Sequence, residues 1–392
     1  MSTSVVIVTI RHHEWLERSI ASVVGQADEV IVVDNGSPGD AVAVTAEAGG
    51  ALVVRIDRNR GFAAGVNAGV SAASGDVVGL LNDDAMADAG WIASAEDALA
   101  ASDVGVVAPK MLFLHPHAEL VFDDEPRYVG ADPRSLGRAL RSATLSGVDV
   151  LDRLVGPGIH DMESGVLDGV AGRWRWTAGR LPIYLPLADD GDAPGPVVVN
   201  GEGVPVRRVV RLVNNAGSYI STEGYGGDYG YRTADDGQFG EPAERFGACG
   251  GALVARAETF KRIGPWAEHF FLYYEDLDWS WRLRLFGLRC VYRADGVVHH
   301  VGSVSTGGPQ SPDVQRLAGR NRLLCLARNA PLTVVRQQVA ASSEHRGAAL
   351  RHLPGALAAR ARMSRRWTRR PAEVWDRWAG ADNTWPTSSF QV

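Results

Sequence analysis

The chain has 392 residues, enough for one large α/β domain with additions or for two domains. With 45% hydrophobic and 22% charged residues it has an ordinary globular balance, and a formal net charge of -6 gives no global basic field to attract nucleic acid. Its three cysteines, Cys249, Cys290 and Cys325, are far apart and make no CxxC pair, so a disulfide framework or cysteine zinc site is not indicated and reduced, cytosolic thiols are the simplest reading.

The opening Met1–Val6 has no basic stretch before its apolar run and reads as a strand start, not a signal peptide. No apolar stretch approaches the roughly 20 residues of a membrane helix, so any membrane contact is expected to be peripheral. Strands are predicted at Val5–Thr9, Glu29–Val33, Ala51–Ile56, Asp76–Leu81 and Val104–Ala108. Helical spacing separates them at Glu14–Val24, Asp40–Ala48, Ala63–Ala73 and Trp91–Ala100. Apolar strands alternating with helices imply a parallel sheet covered on both faces, with ligands bound beyond the strand carboxyl ends. Thr9, Asp34, Asn59 and Asp83-Asp84 all fall at those ends.

The expected organisation is an α/β half over 1–114, a β-rich insertion over 115–210, a second α/β half over 211–331 and a helical segment over 332–392. Within the insertion, Arg173–Thr177, Leu181–Leu187 and Val197–Val199 read as short strands. A further strand, Leu288–Tyr292, precedes a turn at Ala294-Asp295-Gly296 and then His299-His300. In the last segment Arg346, Arg351, Arg360, Arg362, Arg365, Arg366, Arg369 and Arg370 occur with no acid between them, and Leu350, Leu353 and Leu357 share a helical face. That pattern suits an anionic membrane surface; a plain basic surface helix is the alternative.

Asp83 and Asp84 are adjacent carboxylates at a strand end, costly without a cation, and a hard ion such as Mg²⁺ or Mn²⁺ would suit them. A solvated turn or helix cap is the bland alternative. Asp34 could accept from a ribose or base edge, or serve an Asx-turn. Asn59–Asn67 enters a helix, and its glycines would let phosphate approach; a tightly packed small-residue helix reads equally well. Glu275-Asp276-Leu277-Asp278 follows the aromatic run Phe270–Tyr274 and could place a general base beside apolar walls, although acids also suit a helix N-terminus by the macrodipole alone. His299-His300 could add a metal ligand, and Ser303–Thr306 offers a donor-rich loop.

Taken in order, several motifs resemble the family-2 glycosyltransferases. These are Val6–Ile10, Val33-Asp-Asn-Gly-Ser37, Asn59–Asn67, Leu80-Leu-Asn-Asp-Asp-Ala85, Cys249-Gly-Gly-Ala252, Phe271–Asp278 with Trp281-Arg282, His300 ahead of Ser303–Gly307, Arg320-Asn-Arg-Leu323 and Asn329-Ala-Pro331. The chain looks most like the rhamnosyltransferase-like bacterial branch that builds surface polysaccharide. The resemblance implies a GT-A fold: a mixed, mostly parallel Rossmann-like sheet with helices on both faces. It implies an inverting enzyme that uses Mg²⁺ or Mn²⁺ to move a sugar from a nucleotide-diphosphate donor to a glycan or lipid-linked glycan. Asp276 takes the base position, and Asp84 with His300 the metal positions. Thr9, Arg11, Asp34, Arg60, Gly61, Asn67, Asn82 and Asp83 fall on the donor side. Gly250, Gly251, Glu275 and Asp278 fall on the acceptor side. The implied location is the cytoplasm, at the inner face of the cell membrane. Ile10-Arg11 replaces the Tyr-Asn that often follows the first-strand Thr in this family. The rivals are a sugar nucleotidyltransferase, which would want glycine in Ile10–Glu14, and a non-catalytic nucleotide- or carbohydrate-binding protein.

Overall fold

The structure is a computed structural model. It describes residues 1–125, 127, 128, 132, 134–187, 195–302, 312–342 and 346–380, so the expected loop at Ser303–Thr306 lies outside the described residues. The first stretch alternates as the apolar pattern requires. Its elements are β1 Thr3–Thr9, α1 Glu14–Val24, β2 Glu29–Asn35, α2 Ala41–Ala48, β3 Leu52–Ile56, α3 Phe62–Ala72, β4 Val77–Asn82, β5 Ala85–Ala87, α4 Trp91–Leu99 and β6 Val104–Phe113. After an excursion the chain forms β7 Val213–Asn215, the hairpin β8 Ser218–Ile220 and β9 Gly226–Asp228, β10 Ala243–Arg245, β11 Ala252–Arg256, α5 Ala257–Ile263, α6 Glu275–Leu285 and β12 Arg289–His300. Helices α7 Pro312–Asn329, α8 Leu332–Ala341, α9 Arg346–Ser364 and α10 Pro371–Trp378 follow.

The central sheet runs β10-β12-β6-β11-β4-β1-β2-β3, with β7 paired to β6 and β5 to β12. β4, β1, β2 and β3 are parallel neighbours, as are β12 and β6, while β11 enters antiparallel between β4 and β6. The sheet is therefore mixed, and both faces are covered. Along β1, Val5 and Ile7 point to one face and pack with Leu16, Ile20 and Val23 of α1 and Trp91 of α4. Val6 and Val8 point to the other, against Ala63 and Val66 of α3 and Trp279 and Leu283 of α6. Each such buried aliphatic side chain contributes roughly 1.5–3 kcal/mol. This strand-by-strand alternation produces two apolar layers from one continuous apolar run.

The excursion between β6 and β7 holds three small antiparallel sheets. The Arg173–Thr177 run lies within Val170–Thr177, which pairs with Ile159–Leu167. Ala118, Leu120, Leu140, Ile183, Leu185 and Val197 give these sheets a separate core. A third cluster joins α6, α7, α9 and α10 through Trp281, Leu323, Leu326, Ala356 and Val374.

One expected boundary is corrected. Ala294-Asp295-Gly296 does not end a strand; Arg289–His300 is a single strand whose register against β6 shifts between Arg293 and Val297. The turn signature is a bulge, and that extra length carries His300 to the site.

Candidate active site

β4 delivers Asn82, Asp83 and Asp84 to the carboxyl edge of the sheet, where Asp83 and Asp84 are buried. β12 pairs with β5 so that His300 lies opposite Ala85, the residue after Asp84, and the Val301 amide donates to the Asp84 carbonyl at 3.0 Å. His300 Nε2 therefore stands 3.0 Å from Asp84 Oδ1. Its other nitrogen, Nδ1, lies 3.2 Å from Asn214 Oδ1 on β7, and Asn82 Nδ2 donates towards Nε2 at 3.3 Å. With Nδ1 donating to Asn214, Nε2 presents a lone pair to a carboxylate oxygen. A proton or a cation must lie between two such acceptors. Burial works to raise the Asp84 carboxyl; with a proton in this gap, the hydrogen bond and charge of His300, with help from His13, outweigh it and hold the carboxyl below the ordinary range. Oxygen and imidazole donors of this kind fit Mg²⁺ or Mn²⁺. These ions keep several waters and take one or two protein groups beside substrate phosphates. Among the described residues no group of three or more His, Cys, Asp or Glu forms a complete protein cage.

Asp83 points away from this pair. His13 donates to Asp83 Oδ2 at 2.8 Å from the residue just before α1. That hydrogen bond raises the His13 pKa against the opposing effect of its own burial. Asp34, at the end of β2, is fully buried. Its Oδ1 accepts from the Ser37 amide at 2.8 Å, an Asx-turn, while Oδ2 has no hydrogen-bond donor and only Arg55 Nε at 3.4 Å. The Asx-turn reading of Asp34 is thus seen, while its second oxygen is buried beside Arg55 without a hydrogen-bond donor. Thr9 Oγ1 donates to the Arg11 carbonyl at 2.7 Å, which folds the end of β1 and leaves Arg11 on the exposed rim.

The glycine-rich helix entry is corrected. The Phe62 amide donates to the Phe271 carbonyl at 2.7 Å, so this N–H does not face an open phosphate cradle. Gly61 has φ of 88°, and a Cβ there would stand 2.5 Å from the Phe271 oxygen. Glycine is required by this close approach. Asn67 binds the backbone of Trp266 through both ends of its amide, each at 2.9 Å, and Arg60 pairs with Glu268 at 2.9 Å on the surface. Gly61 and Asn67 therefore brace the segment before α6, and Arg60 joins them at its edge.

That segment carries backbone strain. Phe271, Tyr273 and Tyr274 have φ of 69°, 68° and 72°, costly for aromatic side chains. Asn321 of α7, fully buried, donates to the carbonyls of Phe270, Leu272 and Tyr273 at 2.9, 2.9 and 2.8 Å. The strained turn sets Asp276 in the first turn of α6. Its Oδ2 accepts from the Gly250 amide at 2.9 Å and its Oδ1 from the Leu277 amide at 2.7 Å. Burial raises its pKa more than these two bonds lower it. Gly250 lies tight against Trp266 and Phe62, where a Cβ would meet ring carbons at 3.0 and 3.1 Å. The next residue, Gly251, accepts from the Asn82 amide at 2.9 Å. Two adjacent glycines thus join the Asp276 side to the Asp84 side. Their expected direct contact with acceptor gives way to this linking role.

Two more acids leave the acceptor side. Glu275 is 4% exposed with no partner for Oε2, and burial, with the Asp276 charge added, raises its pKa well above the ordinary range. Asp278 is fully buried and bound by Arg282 Nε at 2.9 Å, Arg328 Nε at 2.6 Å and Asn329 Nδ2 at 2.7 Å. Burial opposes its charge, but the two guanidiniums win and hold it at about 2. It is a structural ion cluster between α6 and α7. His299 points to the exposed Asp88, with Nε2 at 3.3 Å from a carboxylate oxygen, away from the Asp84 pair.

Sequence reasoning missed His13, Asn214, Asn215 and Asp228. None is marked by charge clusters or periodicity; only the Asn214-Asn215 doublet before Gly217 hints at a polar junction.

The comparisons with known proteins bear on this geometry. Residues 4–113 match the model of glycosyl transferase family 2. The matched part holds β1 through β6 with Asp34, Asp83 and Asp84, and ends before His300 and Asp276. Comparison with curated proteins returned no match. Among solved structures, GalNAc-T7 with UDP, GalNAc and Mn²⁺ is 13% identical, with a TM-score of 0.50 over 91% of this chain and 51% of that one. This likeness shows the GT-A fold, and the chain spans about half the length of that protein. Glucosyl-3-phosphoglycerate synthase from Mycobacterium tuberculosis, with Mn²⁺, UDP and phosphoglyceric acid, is 24% identical. It covers 28% of this chain and 43% of its own, with a TM-score of 0.25.

Proposed function

We propose that the protein is an inverting glycosyltransferase that moves a sugar from a nucleotide-diphosphate donor to a hydroxyl acceptor. The observation that carries this is the joining of two unlike sites through Gly250 and Gly251: a raised, amide-held carboxyl at Asp276 and the facing Asp84–His300 pair. The family match over residues 4–113 supports the nucleotide-sugar half of the reading.

In this mechanism the unbonded Oδ2 of Asp34 accepts from the nucleobase or ribose once Arg55, 3.4 Å away, gives it room. Asp84 and His300 are the residues that would hold a Mg²⁺ or Mn²⁺ ion, which would supply Lewis-acid charge beside the diphosphate. Asn214, whose Oδ1 lies 3.2 Å from Nδ1, orients the His300 ring so that Nε2 faces Asp84. Asp276 takes the proton from the acceptor hydroxyl as its oxygen attacks the anomeric carbon and the nucleoside diphosphate leaves. The raised pKa suits a base, because a stronger proton acceptor gains more from the transfer. Gly250 and Leu277 amides orient the carboxylate without protonating it.

The donor L-rhamnose on dTDP, a lipid-linked glycan acceptor and a role in bacterial surface polysaccharide rest on the motif resemblance and belong to the same proposal. So does peripheral contact with an anionic membrane. Leu350 and Leu357 of α9 are 48% and 37% exposed beside exposed Arg346, Arg351, Arg362 and Arg365, while Leu353 packs inward. Arg360 and Arg366 instead donate to backbone carbonyls of Ala330 and Arg262, which narrows the available basic face. No helix among the described residues is long and apolar enough to cross a membrane.

A screen of nucleotide sugars with and without Mn²⁺ or Mg²⁺, read by thermal shift and nucleotide release, tests the function. Asp276→Asn should lose about 10²–10⁴-fold in turnover while keeping donor binding. Near-normal turnover in that variant removes Asp276 from the base role.

A further inference from the structure

A second carboxyl is tied to the segment that holds the base, and the mechanism above gives it no task. Asp228 ends β9, directly opposite Ser218 of β8. Asn215 Nδ2 at 2.6 Å and Ser218 Oγ at 3.1 Å both donate to its Oδ1. Among the described residues no donor reaches Oδ2, and the residue is half-buried. One oxygen is therefore pinned and the other opens outward.

The hairpin is bound into the site. The Ser218 amide donates to the Gly247 carbonyl at 2.8 Å, and the Gly247 amide returns a bond to Ser218 at 3.2 Å. Three residues on, Gly250 holds Asp276. Asn215, which pins Asp228, is the neighbour of Asn214, which orients His300. The same acid thus reports to both sides of the site through short hydrogen-bonded links. Its electrostatics agree: burial and then the Asp276 charge push its carboxyl up to about 7, against the pull of Ser218, Asn215 and His300.

We propose that Asp228 orients the acceptor: its outward oxygen binds a second hydroxyl of a sugar acceptor beside the hydroxyl that Asp276 deprotonates. Sugars present hydroxyls in neighbouring pairs, and one carboxyl per hydroxyl fixes both the position and the rotation of the ring. No bond to Asp228 is made or broken. The inference rests on Asp276 as the base. It is separate from the donor site, whose acids lie at the ends of β2 and β4.

Asp228→Asn discriminates this role from a purely structural one. Asparagine keeps an oxygen for Asn215 and Ser218 and leaves an outward atom that can only donate, where the carboxylate accepts; the comparison is made above about pH 8, where a carboxyl raised to about 7 is ionised. Release of nucleoside diphosphate is measured from UDP-, GDP- and dTDP-sugars with Mn²⁺. It is followed in water alone and with octyl glycosides of glucose, galactose, mannose and rhamnose, for wild type, Asp228→Asn and Asp276→Asn. At least one glycoside should accelerate wild-type release. Asp228→Asn should raise the KM for that glycoside about tenfold or more, the scale expected when a buried polar partner is mispaired. Any loss of release into water should be much smaller than the loss with glycoside, because asparagine keeps the bonds to Asn215 and Ser218 that tie this residue to the rest of the site. An unchanged glycoside KM, an equal loss of release into water, or no acceleration by any glycoside overturns the inference. A drop in melting temperature with loss of all activity also overturns it, since Asp228 would then be a hairpin clamp. If Asp276→Asn keeps wild-type turnover, the base assignment falls with it. If Asp276→Asn is inactive and Asp228→Asn is silent, only the present inference falls.

Discussion

The two sides of the site are held in place by different physics. On one side, Asp34 and Asp83-Asp84 stand at the ends of β2 and β4, and the ladder between neighbouring strands fixes their place. On the other side, Asp276 is delivered by a turn with three aromatic-residue backbones near or in the left-handed region, and that turn would not hold its shape alone. Helix α7 holds it, through Asn321 on the turn's carbonyls and through Arg328 and Asn329 on Asp278. One carboxylate set is placed by a sheet, the other by a clamp about 45 residues further along the chain. A sheet tolerates substitution at its tips. A clamp does not tolerate loss of its contacts.

The largest test of this contrast is Asp278→Ala. It strips the partner from two buried guanidiniums and should cost about 3–5 kcal/mol in denaturant unfolding. Asp83→Ala, at a strand tip, should cost far less. If both variants lose equal stability, the contrast between sheet and clamp is wrong. Asn321→Ala is next: the strained turn relaxes, Asp276 shifts, and kcat should fall about 10²-fold with donor and metal affinity retained. A parallel loss of donor affinity would instead mark a general collapse. Asn214→Ala frees the His300 ring and should weaken Mn²⁺ binding about 10–100-fold, measured by titration, with no change in nucleotide affinity without metal. The smallest effect is on pH. Asp278 is held at about 2 when folded, against roughly 3.9 when unfolded. Its stabilisation is present above about pH 4 and is lost as pH falls towards 2, so unfolding midpoints should drop over that window in wild type and stay flatter in Asp278→Ala.

The same contrast explains what the sequence discloses. The alternation of β1 to β6 and the strand-end acids are legible because period-2 and period-3.6 patterns are local. Asp276 is legible through its place in an ordered series of motifs. Asp278 reads as one more acid at a helix N-terminus, because nothing local says that Arg328 and Asn329 will meet it. Gly61 reads as a phosphate glycine for the same reason: its true partner, the Phe271 carbonyl, is 210 residues away. Asp228 lies between glycines and aromatics with no periodicity, and only the β8–β9 register shows that it stands opposite Ser218.

The excursion between β6 and β7 leaves and re-enters the sheet at adjacent points. Val213 pairs with Leu112, and the Phe113 amide donates to the Leu212 carbonyl at 2.8 Å. Nearly one hundred residues therefore hang from a closed doorway, and the cost of bringing its ends together grows only slowly with what lies between. The excursion is an exchangeable cassette. Evolution can lengthen, shorten or replace it while Asn214 and Asn215, just inside the doorway, keep their hold on His300 and Asp228.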